Sequence, residues 1–295
     1  MNSSADTIMI PIEARSVFRV LAIRKVVENK ELLKELGSRF KDILRAIPVS
    51  GRILETLPDM YKTEPDSKHR NDFLGYKKPH KGEDEPFSIR TASEERMCKS
   101  KQAFFKKQLH YLLLDEKGKK VDEQEIKTID YQIPLSSSRD AGEGVIDMIS
   151  TSESKNSIYI IEAKRWGSNE HPLRAMFEAI TFWKMIQNGS KKFESFISLY
   201  NKSTKNDGAQ LPKTPQSVVP VILIPKGGNG KDYSGIYSRM ISMYVADFAD
   251  AKDHKIYQTV YRGILTTGLR CWRYAEDLTI EDFTEEFREH WGIRK

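Results

Sequence analysis

The sequence predicts an α/β fold, with helices flanking a central β-sheet and a helical extension at the N-terminus. Three observations lead there. Ile158-Tyr159-Ile160-Ile161 is apolar on both faces, the pattern of a strand covered on each side. Val218 to Ile224 is a second apolar run of strand length. Between them, from about Pro172 to Gln187, Leu173, Met176, Phe177, Ile180, Phe182, Trp183 and Ile186 cover much of one side of a helix that fits packing on the sheet.

From Glu13 to Ile47 the chain is helical in character, with Leu36, Phe40, Ile43, Leu44 and Ile47 at helical spacing. Pro48 and Gly51 stop it, and a short helix from Arg52 to Leu57 precedes Pro58. This amphipathic region, assigned to residues 1–61, must pack against the core or another copy. Residues 62–92 are polar and dense in Pro, Gly, Lys and Asp, which marks a linker or arm. Lys77, Lys78, His80 and Lys81 would touch phosphates if the arm lay along DNA, whereas Glu83, Asp84 and Glu85 would offset them in a solvated linker.

The main domain is expected over residues 93–295. Thr91-Ala92-Ser93-Glu94 has the form of a capping box opening a helix to about Leu114. Lys127 to Leu135 reads as a strand, and Pro172 suits the first turn of the helix that follows the hairpin. In the Val218–Ile224 strand, Pro220 argues for an edge or strand-end position. Strand-like material recurs around Ile264-Leu265, and Glu281 to Trp291 closes the chain as a helix.

The chemistry centres on Gly142 to Trp166. An apolar stretch ends its run on Asp147, a polar turn spans Thr151 to Ser157, and the next strand runs into Glu162-Ala163-Lys164. Glu162 and Lys164 are two residues apart, so an extended chain projects both from one face. A hairpin closed by the polar turn brings Asp147 alongside them. Charges at the end of a buried strand are costly unless paired or bound to a metal.

At these residues the chain resembles the PD-(D/E)XK nuclease superfamily, whose motif is an acid, a spacer, then acid-x-Lys at the end of the second hairpin strand. Ile146 stands where the motif's name has proline, and Gly144 gives the G-x-x-D form seen in many members. The resemblance covers Gly142 to Lys164 and implies a restriction endonuclease-like core with a mixed sheet. It also implies a Mg²⁺-dependent DNA endonuclease of restriction, repair or mobile-element type, Mn²⁺ being a substitute. Asp147, Glu162 and the Ala163 carbonyl would be the metal ligands, and Lys164 would orient or deprotonate the attacking water or stabilise charge on phosphorus. A helix before the hairpin often adds an acid in this family. Glu94 and Glu95 fit that place, and Glu95 is preferred because Glu94 serves as the capping residue. Glu178 is a further position, with pairing to Arg174 one turn away as its simpler role. The alternative function is a non-catalytic nucleic-acid-binding or assembly module that keeps the fold.

Composition agrees without deciding the matter. The 295 residues are 39% hydrophobic and 31% charged, with a net charge of +6 and a pI near 9.0, compatible with a polyanionic partner such as DNA. A homodimer would give the amphipathic N-terminal region another copy to pack against. Cys98 and Cys271 lack metal-ligand spacing and read as reduced thiols, and no run approaches membrane-spanning length, so a cytoplasmic, membrane-free protein is expected. The six histidines are scattered without zinc spacing. GGNGK at 227–231 departs from a phosphate-binding loop, with Pro225 in place of the first glycine and Asp232 in place of Ser or Thr.

Overall fold

The computed structural model describes residues 30–47, 119–121, 124–134, 145–164, 170–187, 192–203, 210–226, 251–275 and 279–294. The arm at 62–92, the capping box with Glu94 and Glu95, the helix at 52–57, Cys98 and GGNGK lie outside them.

The architecture is α/β. The first helix, α1 (Lys30–Ala46), precedes β1 (Lys119–Val121), β2 (Gln124–Pro134), β3 (Val145–Ser152) and β4 (Ser157–Ala163). Next come α2 (Pro172–Met185), α3 (Glu194–Ser203) and β5 (Ser217–Pro225). The chain closes with α4 (Ala251–Leu265), β6 (Arg270–Tyr274), β7 (Ile280–Asp282) and α5 (Thr284–His290). The strands pair in sequence order in one mixed sheet. Neighbours are antiparallel from β1 to β4 and between β6 and β7, while β4–β5 and β5–β6 are parallel. Parallel neighbours need a crossover, and α2 with α3 supplies the first, α4 part of the second. The sheet curls until β1 meets β7 at Val121 and Ile280.

Curling separates two environments. Tyr159, Ile161 and Ala163 of β4 cluster with Met148, Val221, Leu223, Trp272 and Tyr274 inside the curl. The alternate residues Ile158 and Ile160 turn outward and pack with Phe182 and Met185 of α2 and Phe196 and Tyr200 of α3. Ile222 and Ile224 of β5 face a second helical layer of α1, α2, α4 and α5. A two-residue alternation with both faces covered is why β4 and most of β5 read as continuous apolar runs.

The hairpin forms with longer strands than the sequence suggested. Thr151, Ser152 and Ser157, expected in the turn, belong to strands, and only Glu153–Asn156 turns. Hydroxyls on these strands find partners: Ser157 Oγ lies 2.9 Å from Ser217 Oγ, and Ser150 Oγ lies 3.0 Å from Thr128 Oγ1. Polarity did not exclude them from the sheet, because paired hydroxyls are cheap to bury. Asn156 takes the left-handed conformation that ends the turn, with φ 43°.

Two further expectations are corrected. Ile264-Leu265 ends α4 rather than forming a strand. Tyr257, Val260, Tyr261 and Ile264 sit at helical spacing against the core, and Gly268 in the left-handed region (φ 86°) follows the helix end. Pro220 lies within β5, paired with Ile160 of β4, so β5 is neither an edge strand nor ended by Pro220. The first β5–β6 pair is Val221 with Arg270, so on that side Pro220 precedes the ladder. The Lys164 N–H to Leu223 carbonyl bond turns Leu223 toward β4, and by alternation Pro220 toward β6, where its missing N–H costs no ladder bond.

Leu33, Leu36 and Phe40 of α1 are buried in the same cluster as Val260, Tyr261 and Ile264 of α4, so this amphipathic helix packs on the core. The helices approach closely at glycines. A Cβ on Gly263 would stand 3.0 Å from the Phe40 ring, and one on Gly37 would stand 3.4 Å from Thr259 and Val260. No helix among the described residues is long and apolar enough to cross a membrane.

Candidate functional site

The outer face of β4 ends on charge. Beyond Ile158 and Ile160, the same alternation places Glu162 and Lys164 under α2, where they are 3% and 4% exposed. Met148 pairs with Ile161 across β3–β4, so one step further Asp147 faces Glu162. Asp147 is fully buried, and its Oδ2 accepts the Ala163 N–H at 2.9 Å. The Lys164 N–H goes to Leu223 of β5 at 2.8 Å, so by alternation the N–H and carbonyl of Ala163 face β3, on the side of Asp147. Asp147, Glu162, Ala163 and Lys164 thus meet at one end of the sheet.

Helix α2 completes the cluster. Lys164 Nζ lies 2.7 Å from Glu162 Oε1, 2.6 Å from Glu178 Oε2 and 2.6 Å from Glu170 Oε2. Arg174 holds both helix-side acids through Nε, contacting Glu170 Oε1 and lying 3.2 Å from Glu178 Oε1. The expected Glu178–Arg174 pair therefore exists, and Glu178 bonds Lys164 as well. From inside the curl, the Tyr274 hydroxyl donates to the Lys164 carbonyl at 2.9 Å. The helix is fixed by a cap, His171 Nδ1 accepting from the Leu173 N–H at 3.2 Å. The Trp183 Nε1–H adds an anchor to the Val218 carbonyl at 2.8 Å.

Burial alone would pull the Lys164 ammonium down, but Glu162, Glu178, Glu170 and Asp147 prevail and hold it well above its ordinary 10.5. Burial likewise pushes Glu178 up. The charges and hydrogen bonds of Lys164 and Arg174 outweigh it and lower the carboxyl below 4.5. Lys164 is thus an ammonium at neutral pH. Four acids (Asp147, Glu162, Glu170, Glu178) gather around two bases (Lys164, Arg174). Among the described residues no three His, Cys, Asp or Glu side chains are arranged to hold a metal ion.

The residues that sequence reasoning missed are Glu170 and Tyr274. A repeat of four, Glu170-x₃-Arg174-x₃-Glu178, was the available signal for the first, since that spacing lines side chains along one helical stripe. Tyr274 left no local signal, being 110 residues from Lys164. Comparison with protein-family models, curated proteins and solved structures finds no match.

Proposed function

We propose that this chain is a metal-dependent DNA endonuclease of the PD-(D/E)XK kind, built on a restriction endonuclease-like core. One observation carries the reading: Asp147 on β3 accepts the Ala163 N–H of β4, the residue between Glu162 and the buried ammonium of Lys164. Buried charge on this scale costs several kcal/mol, roughly, before pairing, so a site that retains it at a strand end invites a functional account.

Mg²⁺, with Mn²⁺ as substitute, is the cofactor this reading requires. The donor set fits a hard cation, since Asp147, Glu162 and the Ala163 carbonyl offer only oxygen. When bound, such an ion polarises a phosphodiester and acidifies water. The protein's own contributions follow from its geometry. Asp147 is fixed by the Ala163 N–H, and Glu162 by Lys164. Lys164, held protonated, donates rather than accepts. It orients the attacking water and counters charge developing on the phosphate.

The test is purified protein on supercoiled plasmid with Mg²⁺ or with chelator. Cleavage in Mg²⁺ alone, lost in folded Asp147→Ala and Lys164→Ala proteins, supports the reading; parent-rate cleavage by either variant refutes it. The second reading is a nucleic-acid-binding or assembly module without catalysis. Its support is the closed cage of three carboxylates on Lys164, which also suits a structural network. Calorimetric titration with Mg²⁺ together with the plasmid assay separates the two.

A further inference from the structure

Building on the nuclease reading, we infer that Lys164 and Arg174 form a phosphate-binding pair, and that Glu170 occupies it when no nucleic acid is bound. Glu170 bridges the two cations with separate oxygens, Oε2 at 2.6 Å from Lys164 Nζ and Oε1 against Arg174 Nε. Two oxygens of one anion on an ammonium and a guanidinium form an arrangement that a phosphodiester reproduces. Exchange of one singly charged anion for another also leaves the charge balance of the cluster unchanged.

The three carboxylates on Lys164 are not equivalent. Glu162 belongs to β4, and Glu178 belongs to the body of α2. Glu170 precedes the N-cap His171 and so lies outside the helix itself. Arg174 is the most open member of the cluster, with its side chain 34% exposed. Its contacts to Glu170 and Glu178 use Nε, and a guanidinium carries four further N–H donors for a phosphate. An incoming phosphate would also meet the N-terminal end of α2, where an anion is favoured. Lys164 Nζ lies beside Glu162, so a phosphate bound here sits next to the acids proposed to hold the metal.

The experiment measures anisotropy of a short, labelled single-stranded DNA in chelator, with inorganic phosphate as competitor. Glu170→Gln is expected to tighten binding roughly fivefold, since a charge-assisted contact passes from an internal anion to the DNA. Phosphate should compete with the DNA, and the Glu170→Gln/Arg174→Gln double variant should lose the gain. The inference is overturned if Glu170→Gln, with native circular dichroism, binds no tighter, or if the double variant keeps the gain. Chelator prevents metal-dependent cutting, so the two proposals fail separately. Tighter binding by Glu170→Gln beside an intact plasmid in Mg²⁺ sinks the nuclease reading alone. A cut plasmid with unchanged Glu170→Gln affinity sinks the phosphate pair alone.

Discussion

The Ala163 N–H donates to Oδ2 of Asp147 at 2.9 Å, tying the last residue of β4 to the acid on β3. This bond stands where the hairpin ladder ends, beyond the last strand pair between Met148 and Ile161. A side chain takes over from the backbone there, and the same bond fixes the acid beside Glu162 and Lys164.

Asp147→Ala leaves a buried donor without its acceptor and should cost about 1–3 kcal/mol in chemical denaturation. Asp147→Asn keeps an oxygen that can accept and should recover most of that loss. Both should lack Mg²⁺-dependent cleavage, which separates the structural role of the oxygen from the role of the charge. Full cleavage by Asp147→Asn would contradict this.

Lys164→Met removes a cation shared by three carboxylates and should destabilise the fold by about 3–5 kcal/mol, as for a broken buried ion pair. Adding Glu162→Gln should restore part of the loss, because one uncompensated charge disappears. Denaturation of the single and double variants measures the coupling.

The pH profile of stability should have two limbs. Glu178 is lowered in the folded state, so its contribution is full above its ordinary 4.5 and is lost as pH falls through the lower folded value. Lys164 is raised, so its contribution is full below its ordinary 10.5 and is lost as pH climbs through the higher folded value. Thermal melts across pH should show a plateau between these values, and Glu178→Gln should flatten the acid limb.

Tyr274→Phe deletes the donor to the Lys164 carbonyl without changing ring volume. A loss of about 1–2 kcal/mol is expected in denaturation, since a buried carbonyl loses its partner. If Tyr274 also positions Lys164, cleavage should fall severalfold in a protein that remains folded. An unchanged kcat would confine Tyr274 to stability.

The α1–α4 crossing should tolerate no bulk at Gly263. A Cβ there already meets the Phe40 ring at 3.0 Å, and Phe40 is itself held edge-on to Phe177. Gly263→Leu should cost about 1–3 kcal/mol by overpacking. Phe40→Ala should cost about 3–5 kcal/mol by the cavity it leaves. Denaturation midpoints check both.

The sequence by itself determined the local geometry. Alternation along Ile158 to Lys164 put Glu162 and Lys164 on one face, and helical spacing from Leu173 to Ile186 placed α2 over the sheet, because both signals repeat within a few residues. Ile264-Leu265 misled, since a short apolar pair fits a strand as well as a helix until its neighbours at 257, 260 and 261 are seen facing one core. Pro220 misled because its tolerance depends on where β6 begins, which no local pattern encodes. Tertiary structure alone decided that Glu170 joins the Glu178–Arg174 pair over Lys164, and that Tyr274 holds the Lys164 carbonyl. Those contacts join separate elements, and their energies depend on burial, which arises only when helix and sheet meet.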